Sequence, residues 1–204
     1  MGQSVFIIGA GGHAKVILAT LEAVGIVPVA IYDDDASKWG SHLFNIPIKG
    51  GLDDFAELGT VSAFIAIGKN VTRKKIVARF TSIDWITIIH PRASIHASVR
   101  IGRGSIIQEA CILEPDVRIG EHCILNSNSM IGHESVLEDY VHSSGAKIGG
   151  NTHVCEGVLL GGNSTIHPGI TIGAWSTSAI ASAIMRDVPP ESILIGNPAR
   201  VLKS

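Results

Sequence analysis

Aliphatic residues recur every six positions through the middle of the chain: Ile95, Ile101, Ile107, Leu113, Ile119, Leu125, Ile131 and Leu137. A small or modest residue stands four places after each: Val99, Ser105, Cys111, Val117, Cys123, Ser129, Ser135 and Val141. Gly often follows the aliphatic directly, as in Ile101-Gly102, Ile119-Gly120 and Ile131-Gly132. A helix cannot keep this pattern on one face, because six residues turn it by about 600°, about 240° out of register. Short strands laid in repeating flat turns can. The pattern predicts a parallel β-helix of hexapeptide rungs, in which no rung has a complete core and stacking supplies it.

The series continues as Ile148, Val154, Leu160, Ile166 and Ile172, one residue out of phase with the first. The slip falls within residues 138–147. It marks either a functional site or a corner that tolerates one residue fewer.

The first 80 or so residues follow other periods. Ser4–Gly9 is a short apolar strand, and Gly9-Ala10-Gly11-Gly12-His13-Ala14 follows it. Lys15–Val24 has helical spacing, Val27–Tyr32 is a second strand ending in Asp33-Asp34-Asp35, and Ala63–Gly68 is a third, followed by a helix over Val71–Phe80. These alternating elements predict a small parallel α/β unit. Ile86–Pro91 reads as a last strand or a linker, which Pro91 ends. The boundaries are therefore 1–90 for the α/β domain and 91–204 for the β-helix with its tail. The turn-rich Gly196-Asn197-Pro198-Ala199-Arg200 is expected to cover the open end of the solenoid.

Composition narrows the class. The chain has 204 residues, 46% of them hydrophobic and 17% charged, and a net charge of −2. This balance offers no electrostatic footprint for nucleic acid or anionic membrane. No apolar run approaches the roughly 20 residues of a membrane span. Met1–Phe6 carries neither a signal-peptide n-region nor a myristoylation pattern, so the protein reads as cytoplasmic. An odd cysteine count, Cys111, Cys123 and Cys155, fits a reducing compartment. Cys111 and Cys123 occupy the small-residue position of the repeat and read as buried packing.

Two segments carry candidate chemistry. Backbone N–H groups in the Gly9–Gly12 turn, at a helix N-terminus, attract phosphate. Asp33 and Asp34 end the next strand and suit ribose or sugar hydroxyls. The spacing departs from the dinucleotide fingerprint, so NAD is disfavoured; the bland alternative is a plain tight turn. In the second segment, His133 follows Ile131-Gly132 and is followed by Glu134. A neutral imidazole can take a proton, and a carboxylate on its other nitrogen fixes the tautomer and raises its basicity. Adjacent strand residues face opposite sides, so Glu134 must reach round a corner; the alternative is two solvated polar residues. His142 lies at the slip, while His90, His96, His122, His153 and His167 read as surface or turn residues. No two histidines stand five apart, so zinc held between subunits, as in γ-class carbonic anhydrases, is set aside.

In order along the chain come Gly9-Ala10-Gly11-Gly12-His13, Tyr32-Asp33-Asp34, Ala66-Ile67-Gly68, Asn126–Glu134, Tyr140-Val141-His142, Pro168-Gly169 and Gly196-Asn197-Pro198-Ala199. With these motifs the chain resembles, over essentially its whole length, the bacterial acetyltransferases of nucleotide-linked amino sugars and their sialic acid O-acetyltransferase-like members. The resemblance implies a small Rossmann-like α/β domain followed by a left-handed β-helix of 18 residues per coil, with about five coils from Ile95 to near Ala181. It also implies a homotrimer with acetyl-CoA in the groove between solenoids, a nucleotide-linked amino sugar on the N-terminal domain, and no metal. By this resemblance His133 is the general base and Glu134 its partner. Gly11, Gly12, His13, Asp33, Asp34, Asp35 and Gly68 make the nucleotide-sugar site, and Asn126 belongs to the active-site coil. His142, Gly150, Gly161, Gly162 and Ala179 contact acetyl-CoA. Gly11 stands where some members carry serine, which removes a hydroxyl contact to the phosphates.

The resemblance implies acetyl-CoA-dependent N-acetylation of the C4 amine of a nucleotide-linked 4-amino-4,6-dideoxy sugar, in surface glycan or glycoprotein sugar biosynthesis. O-acetylation of sialic acid or a related sugar uses the same base. A non-catalytic solenoid that binds nucleotide-sugars is the alternative of another class.

Overall fold

A computed structural model describes residues 4–203. The expectations that rest on Met1–Gln3 lie outside the described residues. The chain divides between His90 and Pro91 into two compact units.

The first unit contains β1 (Val5–Ile8), α1 (Gly12–Ala23), β2 (Ala30–Tyr32), β3 (His42–Leu43), β4 (Ile46–Gly50), α2 (Leu52–Ala56), β5 (Ser62–Ile65), α3 (Asn70–Arg79) and β6 (Asp84–Trp85). Its sheet runs β3-β4-β2-β1-β5-β6, parallel except for the β3–β4 pair. The helix expected over Lys15–Val24 begins three residues earlier, at Gly12, directly out of the glycine turn. β2 is shorter than the expected Val27–Tyr32; Pro28 has no N–H to give to a ladder. The β3–β4 hairpin, α2 and β6 were not expected. Phe44 and Asn45 turn the hairpin at positive φ without a glycine, so the usual two-residue signal is missing. Phe55 of α2 fills the centre of this core, its ring 5.2 Å from Phe80 and 5.4 Å from Tyr32 in edge-on geometry. Of the expected segment Ile86–Pro91, only Ile88–Ile89 is strand.

The second unit is a three-sided, left-handed parallel β-helix. One face stacks Ser94–Ile95, Ile112–Leu113, Met130–Ile131, Lys147–Ile148, Thr165–Ile166 and Ala183–Ile184. The second face runs from Arg100–Ile101 through Val136–Leu137 and His153–Val154 to Thr171–Ile172. The third includes Ile106–Ile107, Ile124–Leu125, His142–Ser143, Leu159–Leu160, Thr177–Ser178 and Ile193–Ile195. The six-residue aliphatics point inward and form one continuous buried column. Cys111 and Cys123 are fully buried among them.

Most corners turn on a residue in the left-handed region, three places after the core position, as at Asp116, His122, Asn128, Glu134 and Tyr140. The slip lies at one such corner. Ser143 takes the core position, paired with Leu125, while Ile148 pairs with Ile131, so only Ser144-Gly145-Ala146 separates the strands. The left-handed residue there is Gly145, at φ +84°. Hydroxyls hold this shortened turn: Gly145 N–H donates to Ser129 Oγ, and Ala146 N–H to Ser143 Oγ, both at 3.2 Å. A serine in the aliphatic column therefore has a structural reason.

The coil does not end near Ala181. Ala183–Ile184 and Ile193–Ile195 continue the stacks, Val188 bridges Ile172, and Ile184, Val188 and Leu194 join the core. Arg200–Lys203 then pairs antiparallel with Ile193–Ile195 and covers that edge.

Candidate active site

His133 and Glu134 share the corner between the first and second faces. Glu134 sits at φ +59°, so its side chain does not alternate away from its neighbour as it would on a strand. Its Oε2 lies 3.0 Å from His133 Nδ1. A carboxylate only accepts, so Nδ1 carries the proton and Nε2 is left with its lone pair. Both side chains are more than half exposed, at 59% and 65%. From the coil before, Glu114 Oε2 accepts the His133 backbone N–H at 2.9 Å and pins the rung.

Gly150 occupies the same rung position one coil later. A Cβ there would stand 2.5 Å from His133 Nε2, so glycine is required for the ring to lie where it does. The rung position that Glu114 occupies is Gly132 in the next coil, which has no side chain to accept the Gly150 N–H. That N–H has no hydrogen-bond partner among the described residues.

His142 lies elsewhere, on the third face. It is nearly buried, and its Nε2 is 3.0 Å from Asn126 Nδ2. The amide donates, so here Nε2 accepts and the proton sits on Nδ1. Gly161, Gly162 and Ala179 line the corner between the third and first faces, two and three coils beyond Asn126. A Cβ at Gly161 would meet the Ala179 backbone at 2.6 Å. The residues expected to bind acetyl-CoA thus separate: Gly150 is beside His133, and the other four are at or beside a second corner. His90 and His122, expected at the surface, are buried; the His122 ring stacks on Tyr140 with centroids 5.6 Å apart.

In the first unit, Gly9 at φ +102° ends β1 and accepts no side chain, since a Cβ would meet Ile67 at 2.6 Å. Gly11 and Gly12 are exposed, and a Cβ on either would meet nothing. Packing does not demand glycine there, and the bare backbone is left open to close approach. Asp33 ties the turn together: Oδ2 accepts from Ala10 N–H at 2.6 Å, and Oδ1 from Asp35 N–H and Lys38 Nζ. Burial alone would raise its pKa, but these hydrogen bonds and the Lys38 charge outweigh it and hold it low. Asp34 Oδ1 accepts the Leu52 N–H at 2.8 Å. Asp35 caps the short turn after it, accepting from Ser37 N–H and Oγ, with Lys38 beside it, and these lower its pKa. The fully buried Arg73 donates to the Ile67 and Gly68 carbonyls and fixes that loop. Burial, and then the Arg73 charge, lower the pKa of His13.

A cavity of about 340 Å³ opens between Gly9, Asp33, Asp34, Thr72, Lys75 and Arg79. Thr72, Lys75, Arg79, Arg73 and Glu114 were not expected from the sequence. A helix after a Gly68-type strand end signals the first three only weakly. Glu114 acts 19 residues from its partner, and no local pattern marks it.

Residues 4–80 match the model of the PglD N-terminal domain, and residues 83–185, half of the chain, match that of the GMPPB C-terminal domain. A histidine-to-asparagine mutant of perosamine N-acetyltransferase from Caulobacter crescentus, solved with CoA and GDP-perosamine, has a TM-score of 0.92 at 30% identity, covering 98% of this chain and 97% of that one. The acetyltransferase domain of PglB from Neisseria gonorrhoeae, solved with acetyl coenzyme A, gives 0.91 at 27% identity, covering 99% of this chain and all of that one. UDP-N-acetylbacillosamine N-acetyltransferase of Bacillus subtilis is 36% identical over 110 residues, 52% of this chain and 51% of that protein. The chain spans about half the length, or less, of the curated relatives it matches. Among the described residues no helix is long and apolar enough to cross a membrane. The chain belongs to the left-handed β-helix, hexapeptide-repeat acetyltransferases of nucleotide-linked amino sugars.

Proposed function

We propose that the protein transfers the acetyl group of acetyl-CoA to the C4 amine of a nucleotide-linked 4-amino-4,6-dideoxy sugar. The observation that carries this reading is the His133–Glu134 pair at 3.0 Å, with Nε2 facing Gly150. The neutral amine attacks the thioester carbonyl, and Nε2 of His133 takes its proton as the new C–N bond forms. The negative charge on the carbonyl oxygen falls to the Gly150 N–H. The tetrahedral intermediate then collapses, the C–S bond breaks, and the proton passes to the departing CoA sulfur. No acyl-enzyme is needed.

The N-terminal unit holds the nucleotide. Gly11 and Gly12 present backbone to the diphosphate at the start of α1, with His13 beside them. Asp33, Asp35 and Gly68 shape the loops, and Asp34 retains lone pairs for a hydroxyl. Lys75 supplies positive charge in the adjoining cavity. His142, Asn126, Gly161, Gly162 and Ala179 receive the pantetheine arm and the acetyl carbonyl.

These donor residues lie across the width of the first face from His133. One site therefore needs the His133 corner of one copy against the His142 corner of the next, which three copies around an axis supply. We assign a homotrimer on this ground.

The relatives that act on UDP- and GDP-linked sugars favour the amine over a free sialic acid hydroxyl. A panel of UDP-, dTDP- and GDP-linked 4-amino sugars beside free sialic acid, with CoA thiol release measured, tests the reading. Release with one nucleotide-linked amino sugar supports it. Release with sialic acid alone replaces it by O-acetylation, and release with none leaves a binding solenoid.

A further inference from the structure

Glu138, His153 and Cys155 sit at the corner between the second and third faces, away from His133 and from His142. Glu138 directly follows core Leu137, and Cys155 follows core Val154, the residue paired with Leu137. The two side chains therefore stack in consecutive coils. His153 precedes Val154 and emerges from the same strand. One carboxylate oxygen, one imidazole nitrogen and the sulfur all lie within 4.8 Å of one another.

The group is held, not loose. Glu138 Oε2 accepts the Glu156 N–H at 2.8 Å, which turns Oε1 toward His153 Nε2, also at 2.8 Å. The strands beneath are rungs of the stack and fix all three Cα positions. Zinc bonds of about 2.0–2.3 Å to O, N and S place tetrahedral ligand atoms about 3.3–3.7 Å apart. The present spacings, 2.8 Å between Nε2 and Oε1 and none of the three beyond 4.8 Å, bracket that range. His153 and Glu138 are nearly half exposed, at 47% and 41%, so water has room for a fourth position.

We propose that Glu138, His153 and Cys155 bind one borderline-soft divalent cation, zinc by preference, and so clamp two consecutive coils together. Thiolate and imidazole select against magnesium and calcium, which take oxygen ligands. Burial, and then the Glu138 carboxylate, raise the pKa of the Cys155 thiol; a dication between sulfur and carboxylate reverses the second effect and brings the thiolate within reach at neutral pH. The cation takes the place of the His153–Glu138 hydrogen bond.

The test uses untagged full-length protein stripped with a chelator, titrated with zinc by calorimetry and with cobalt(II) by absorption. The expected result is one equivalent per chain, a sulfur-to-cobalt charge-transfer band, and a melting temperature raised by zinc and unmoved by magnesium. Cys155→Ser, which keeps the side-chain size, should abolish the band and weaken zinc binding by about 10–100-fold, and His153→Ala should weaken it similarly. Circular dichroism and melting of both variants in chelator establish that they fold. Absence of the band in the wild type, zinc binding that neither variant weakens, or one equivalent per three chains would each overturn the proposal.

Discussion

The His133 corner and the His142 corner are made from the same six-residue rung, yet they treat an imidazole in opposite ways. At one, the ring is exposed, donates from Nδ1 to a carboxylate, and lies under a glycine that leaves Nε2 clear. At the other, the ring is nearly buried and its Nε2 is occupied by an asparagine amide. A base needs the first arrangement, and a hydrogen-bonding wall needs the second. The rung fixes where each Cα stands. The residue one coil above or below decides what its side chain can do.

The largest expected effect breaks the comparison outright. His133→Ala should lower kcat by about 10²–10⁴-fold, with acetyl-CoA affinity by calorimetry unchanged; a near-normal rate would move the base elsewhere. Gly150→Ala places a methyl where Nε2 lies and should lower kcat by about 10²-fold, the scale of a 1 Å misplacement. Its melting temperature reports separately on whether the coil tolerates the methyl. His142→Ala should chiefly raise the KM for acetyl-CoA, by about tenfold for a lost hydrogen bond of ordinary strength. Mixing His133→Ala and His142→Ala chains sharpens the contrast further, because at acetyl-CoA concentrations too low for the His142→Ala chain, trimers containing both should gain activity over either parent if the two corners meet between subunits.

The smallest effect belongs to the first unit and is a pH dependence. His13 has a lowered pKa in the folded state, so below the ordinary 6.5 the unfolded chain binds a proton that the folded chain refuses. Its contribution to stability is complete above that value and is lost as pH falls, by at most about 1.4 kcal/mol per pH unit. Urea unfolding at pH 7.5 and 5.5 should show the loss, and His13→Gln should shrink it.

The solenoid was more legible in the sequence than the α/β unit. A buried column spaced by six leaves its mark whatever the corners contain, so Ile95 to Ile172 could be read directly. It fades where Ser178 enters the column and Pro189-Pro190 follows, and there the expected end fell short of the real one. Glu134 raised a geometric objection that its left-handed φ removes, and backbone handedness at a non-glycine residue has no local sequence signature. The hairpin at Phe44-Asn45 was invisible for the same reason. Glu114, Arg73 and Thr72 matter only through partners that folding brings near. The glycine turn and its aspartates were visible as residue types, but not the fact that Asp33 spends its oxygens on the turn itself.

The short turn at Ser144-Gly145-Ala146 behaves as a dislocation in a one-dimensional crystal. Before it, equivalent positions in successive coils differ by eighteen, as with Ile95 and Leu113; across it they differ by seventeen, as with Ile131 and Ile148. His133 and Gly150 are seventeen residues apart and still occupy one rung position in successive coils, because the short turn takes up the missing residue and the strands on either side keep their pairing. A single insertion between Ser144 and Gly145 would restore the eighteen-residue spacing with Ile148 still over Ile131 and Gly150 still over His133, so the defect heals within the turn and the lattice of rungs on either side does not feel it.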